Sequence, residues 1–257
     1  NHKSLQEKGI FYPTHKVDSN GVSSGNVKSI YSDNKKGVRA FDSKKAQALL
    51  NTVEKSDCHT LVLSSEYFFE QMHELKAFFK DAEFIYYIRN PLEVVESLYN
   101  QSVKRHFRLK PLTLPKTIKF GFITKVREFV KAEPEVKINF RLYGNDFFNG
   151  GDIVHDFLEQ IGVTGSSEKK SQQINPSYSF EALEFKRQLN WFPDANFHRE
   201  LDSFLQSYDG SIKKFSVLSK SDFERYKIAS ANSMASFPNK HTTVEPNLNR
   251  PISSPRS

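Results

Sequence analysis

The sequence predicts an α/β protein with a mainly parallel central sheet covered by helices. Two observations carry that expectation: short apolar runs too continuous for half-exposed strands, and helical periodicity between them. Their alternation calls for right-handed crossovers and helices on both sheet faces. At 257 residues, with 23 Phe and 10 Tyr, there is ample material for one large core.

The strongest unit is EFIYYIRNPLEVVESLYNQSVKR, from Glu83 to Arg105. Phe84 to Ile88 are β-branched or aromatic throughout, which suits a strand buried on both faces. Pro91 fits the first position of a helix, where its missing N–H costs nothing, and Asn90 fits the cap before it. Leu92, Val95, Leu98, Tyr99 and Ser102 then recur at helical spacing. In such sheets ligands bind beyond the strands' carboxyl ends, beside helix N-termini. Arg89 emerges there with a planar fork of donors, and the Ser97 hydroxyl stands two turns along the helix. Read without further context, Arg89 suits a structural pair with a carboxylate such as Glu93.

The remaining elements follow in order. Residues 4–8 end a helix closed by Gly9, and 10–13 form a short strand or extended entry. Residues 14–38, rich in Ser, Asn, Gly and Lys, are expected to be a long loop. A helix over 43–55 buries Ala46, Leu49, Leu50 and Val53. A strand over 60–63 precedes a helix over 67–79 with Phe68, Phe69, Met72, Leu75 and Phe79 inward. A basic, Pro-punctuated connection, 104–115, leads to a helix over 118–132, a strand over 137–143 and a helix over 152–161 stopped by Gly162. Residues 165–173 are expected as a polar loop, with helices over 180–190, 196–208 and 221–237. Residues 238–257 lack apolar material and are expected as a disordered tail.

Several chemistries find no support. Gly21-Val22-Ser23-Ser24-Gly25 matches a nucleophile elbow, but polar residues flank it where a strand and helix are required. No Gly-Lys-Ser/Thr completes a Walker A loop, and the histidines lack metal-ligand spacing. Cys58 is the single cysteine, so no intrachain disulfide forms and a reducing, cytoplasmic setting is expected. No run approaches the ~20 apolar residues of a membrane span. The net charge of +7 suits an anionic ligand. Nucleic-acid signatures are missing, so no nucleic acid is expected as a partner.

Arg89-Asn90-Pro91 through Ser97-Leu98-Tyr99 resembles the 3′-phosphate-binding segment of sulfotransferases that use 3′-phosphoadenosine 5′-phosphosulfate (PAPS), in their bacterial form. Residues 9–13 (GIFYP), 61–68 (LVLSSEYF), 140–162 and 175–190 resemble further family segments in the same order, so that the likeness covers residues 1 to 236. The resemblance implies a three-layer P-loop-like fold over residues 1–237, and transfer of a sulfuryl group from PAPS to a hydroxyl of a carbohydrate or glycan. It leaves adenosine 3′,5′-bisphosphate as product, with Arg89 and Ser97 on the 3′-phosphate and no metal. The family's Gly-rich 5′-phosphosulfate loop has no counterpart before Gly9, so the domain is expected to be N-terminally truncated, and this chain inactive or severely impaired.

The family uses a Glu or His as base. Glu66, after the strand end, and His15, just past Tyr12-Pro13 and of a residue type suited to base work, are the candidates. Each also has an ordinary reading, as a first-turn charge and as a loop histidine. Lys104 and Arg105, in a cluster with His106, Arg108 and Lys110, are either a rim for donor phosphates or an acidic saccharide, or a solvated helix end. Two other classes stand beside the enzyme: a degenerate, non-catalytic nucleotide- or polyanion-binding module, and a P-loop phosphotransferase.

Overall fold

A computed structural model describes residues 2–17, 23–34, 37–164, 178–192, 194–208, 210 and 215–235. In chain order the elements are α1 (His2–Gln6), β1 (Ile10–Phe11), β2 (Tyr31–Asp33), β3 (Arg39–Phe41), α2 (Ser43–Glu54), β4 (Thr60–Leu61), α3 (Met72–Phe78), β5 (Glu83–Ile88), α4 (Pro91–Arg105), α5 (Gly121–Ala132), β6 (Lys137–Leu142), α6 (Ile153–Gln160), α7 (Phe180–Leu189), α8 (Ala195–Ser207) and α9 (Lys220–Ala235). Short 3₁₀ turns lie at Val27–Ser29, Glu66–Gln71 and Asn149–Gly151. The class is therefore α/β. Among the described residues the strands pair two by two: β1 with β4 in parallel, β2 with β3 antiparallel, and β5 with β6.

Side-chain caps set most helix starts, as the polar residues before them dictate. Asp42 accepts from Lys45 N–H, Asn90 from Leu92 N–H, Asp152 from Val154 and His155, Ser179 from Ala182, and Asp194 from Asn196 and Phe197. Gly9 ends α1 with φ +74°, a conformation that strains any other residue, and a Cβ there would meet the His59 ring at 2.5 Å.

The chain divides into two compact units. One comprises Asn1–Phe84, Glu128–Lys137 and Gly162–Gly165. Its core gathers Val27, Ile30, Tyr31, Ala46 and Leu75, with Phe41, Phe68, Phe78 and Phe79 packed around them. Tyr31 meets Phe41 and Tyr67 edge-on and donates to Glu74 at 2.7 Å. Within the loop expected over residues 14–38, the described residues hold a 3₁₀ turn and β2, and they supply three of the most buried residues of this core. The polar composition around Val27, Ile30 and Tyr31 concealed them. The helix expected over 67–79 begins instead as the 3₁₀ turn Glu66–Gln71, capped by Ser65.

The described residues of the other unit lie within Ile85–Arg127, Ile138–Ile161 and Ser166–Ser257. Its helical core joins Tyr99, Val103, Tyr178, Ala182, Leu183 and Leu205. Beside β5 and β6, Asp156 of α6 is fully buried. It accepts from Tyr87 Oη at 2.7 Å, from Asn149 N–H at 2.9 Å and from both arms of the Arg141 guanidinium. The expectations for residues 165–173 and 238–257 lie outside the described residues.

Candidate functional site

The site is built at the end of β5. Ile88 is the last strand residue, and its carbonyl accepts the Tyr143 N–H at 2.8 Å, so the carboxyl ends of β5 and β6 lie side by side. Arg89 and Asn90 make the turn, and Pro91 opens α4. Asn90 Oδ1 accepts from Leu92 N–H at 2.9 Å and from the Ser230 hydroxyl of α9 at 3.2 Å. That double anchorage holds the turn, and with it the base of the Arg89 side chain.

Arg89 and Ser97 come together. Arg89 Nη1 lies 3.3 Å from Ser97 Oγ, eight residues on. The same guanidinium reaches Glu93: Nε to Oε2 is 3.3 Å, an i,i+4 pair whose side chains are 39% and 25% exposed. Tyr143 places its ring 5.5 Å from the guanidinium carbon, closing one face by a cation–π contact. The carboxylate pair and the serine contact use different N–H groups, so Arg89 makes both at once. Among the described residues Nη2 has no hydrogen-bond partner. Ser97 accepts from Arg89 and keeps its own hydroxyl proton as a donor. A half-exposed guanidinium edge beside a hydroxyl donor is suited to a tetrahedral oxyanion.

On α4, Glu96 is also engaged. Its Oε1 accepts from the Ser216 hydroxyl and from Val217 N–H at 2.9 Å. Burial pushes its carboxyl above the usual range; the two bonds oppose that shift and the charge of Glu93 adds to it.

Lys104 and Arg105 lie about 10 Å further along the helix by its rise per residue. They are drawn into packing against α8 and the start of α7. Lys104 Nζ stands 4.6 Å over the Tyr178 ring, and burial lowers its pKa. Arg105 Nη1 pairs with Asp202 at 3.3 Å, and Asp202 also accepts from Tyr178. The Lys186 ammonium, almost wholly buried, donates to Asn190 Oδ1 at 2.6 Å and bonds His198 Nδ1 at 2.9 Å.

The two candidate bases belong to the first unit. Glu66 is exposed at the start of its 3₁₀ turn. His15 sits edge-on to Tyr12 at 5.8 Å, and both of its ring nitrogens are buried without a partner among the described residues. Tyr12 and Ser64 share a side-chain hydrogen bond at the ends of β1 and β4. Here Asn26 bonds Val62 O and Ser64 N–H, pinning the preceding loop to the end of β4. Sequence reasoning passed over Asn26 as one polar residue of a loop, and over Tyr143 as a strand residue. No local signal marks either one, because their partners lie 36 or more residues away.

Among the described residues no group of three His, Cys, Asp or Glu is placed to hold a metal ion, and no helix is long and apolar enough to cross a membrane. No family model matches the chain. No solved structure matches it. It is similar to an uncharacterized protein of Archaeoglobus fulgidus, 27% identical over 137 residues, which is 51% of this chain and 38% of that protein.

Proposed function

We propose that this chain is a PAPS-dependent sulfotransferase of the cytoplasm, with a three-layer P-loop-like arrangement and a carbohydrate or glycan hydroxyl as acceptor. Arg89 and Ser97 hold the 3′-phosphate of the donor and of the product, adenosine 3′,5′-bisphosphate. The observation that carries this reading is the 3.3 Å approach of Arg89 Nη1 to Ser97 Oγ, beside the turn from β5 into α4. It fits the family's phosphate-binding pair in residue type, spacing and placement. The net charge of +7 favours such a polyanionic ligand.

In the transfer, the acceptor oxygen attacks sulfur and gives up its proton to a base, while the bond from sulfur to the 5′-phosphate oxygen breaks. Glu66 and His15 remain the candidates for that base. Lys104 and Arg105 are the candidates for contact with an acidic acceptor.

The deciding experiment is calorimetric titration with adenosine 3′,5′-bisphosphate. Arg89→Ala is expected to weaken binding by about tenfold or more, the worth of a charge-assisted hydrogen bond. Ser97→Ala should cost less. Equal affinity of the native chain and Arg89→Ala overturns the reading.

A further inference from the structure

α9 carries a short polar side chain where its pattern calls for an apolar one. Phe223, Tyr226, Ser230 and Met234 follow one another at helical spacing, and all four are buried. Tyr226 meets Phe120 edge-on, and Arg127 donates to Ser233 O at 2.9 Å, so the helix is fixed along α5. A buried hydroxyl weakens a fold unless it is hydrogen-bonded, and a helix serine has a carbonyl of its own preceding turn as its ready partner. Ser230, at 3% exposure, gives its one proton to Asn90 Oδ1 instead, at 3.2 Å and 140 residues away in the chain.

Asn90 is the junction between Arg89 and α4. Its φ of −53° and ψ of 125° are the extended values that a following proline favours, and the Pro91 ring fixes the next φ. The Asn90 side chain is set by two donors on one oxygen, the Leu92 N–H and the Ser230 hydroxyl. Arg89 belongs to the turn and Ser97 to the helix, so their 3.3 Å approach depends on that junction. Loss of the Ser230 bond leaves Asn90 Oδ1 with the cap alone, a single contact about which the side chain can turn.

We propose that Ser230 is a positioning residue for phosphate binding: through Asn90 it sets the turn that presents Arg89 to Ser97 and to the anion. This inference rests on the phosphate-anchor reading above, and it adds a control point outside the anchor itself. Ser230 needs no contact with the phosphate to act. A neutral hydrogen bond shifts a conformational population several-fold, and that shift is read as apparent affinity when only the set turn binds.

The test titrates adenosine 3′,5′-bisphosphate into the full chain by calorimetry, as the native protein, Ser230→Ala, Arg89→Ala and the double variant. Ser230→Ala is expected to bind about fivefold more weakly, the scale of one neutral hydrogen bond. The double variant should bind as Arg89→Ala does, because Ser230 acts on affinity only through Arg89. A serine that merely stabilises the fold would produce no such dependence. Where Ser230→Ala fails to fold, Ser230→Thr and Ser230→Val make the same comparison at matched volume, and the threonine variant should bind the tighter. Native affinity in Ser230→Ala, equal affinity of the threonine and valine variants, or a full further loss in the double variant overturns the inference while the phosphate anchor stands. Failure of the native chain to bind removes the anchor and the inference together.

Discussion

Asn26 Oδ1 accepts the Ser64 N–H at 2.8 Å, and Asn26 Nδ2 lies 3.4 Å from Val62 O. The side-chain amide therefore stands where the peptide of a neighbouring strand would stand, and it does so with 1% exposure. Beyond Leu61, where β4 leaves its ladder with β1, Val62 N–H still bonds Phe11 O, so Asn26 serves the groups of this segment that β1 does not. Gly25 makes the approach feasible: its φ is +70°, and a Cβ there would lie 1.9 Å from Ser64 O.

Asn26→Ala is accordingly expected to destabilise the chain by about 1–3 kcal/mol, because two buried backbone groups lose their partners. Gly25→Ala should cost at least as much, through an unfavourable φ and a backbone clash. Urea denaturation gives both values from the shift in midpoint. An Asn26→Ala midpoint equal to that of the native chain would mean that water replaces the amide without loss.

Asp156 is the ionic counterpart of that arrangement in the other unit. Burial alone would raise its carboxyl. The bonds from Arg141, Asn149 N–H and Tyr87 outweigh burial and hold the pKa below the usual carboxylate value. A lowered native pKa means that the stabilisation is complete above the unfolded value, about 3.9, and fades as pH falls through the native one. Asp156→Asn leaves Arg141 buried and charged, and is expected to cost about 3–5 kcal/mol at pH 7. It should also erase this residue's part of the acid-side decline, which a comparison of urea midpoints from pH 7 to pH 3 measures. A decline as steep in Asp156→Asn as in the native chain would assign it to other carboxylates.

What was legible in the chain was whatever short-range chemistry decides. The run from Phe84 to Ile88, the Asn90 cap and Pro91 specify β5 and α4 within a few residues of sequence, and both elements lie where expected. The i,i+4 and i,i+8 partners of Arg89 were visible for the same reason, since one helix sets their spacing. Tyr143, Asn26 and the Asp156 cluster escaped notice because tertiary folding alone creates their environments. Core positions such as Val27 and Tyr31 escaped through composition, since isolated apolar residues in a polar stretch show no period to read.

Glu96 shows how a carboxylate can serve as a structural acceptor at some cost. It takes hydrogen bonds from Ser216 and Val217, joining α4 to the segment before α9, yet burial raises its pKa. A native pKa above the unfolded value of about 4.3 contributes stability in full below that value, and loses it as pH rises through the native one. The ionised form at neutral pH is therefore the less favourable one in the fold. Glu96→Gln keeps an oxygen for the Val217 N–H and removes the charge, so at pH 7 it is expected to be at least as stable as the native chain. At pH 4, where the native carboxyl is itself protonated, the two should converge. Glu96→Ala removes the acceptor and is expected to cost about 1–3 kcal/mol at both pH values. Urea midpoints for the three chains at pH 4 and pH 7 separate these effects. If Glu96→Gln is weaker than the native chain at pH 7 but not at pH 4, the negative charge itself holds the segment, and the sign argued from burial is wrong.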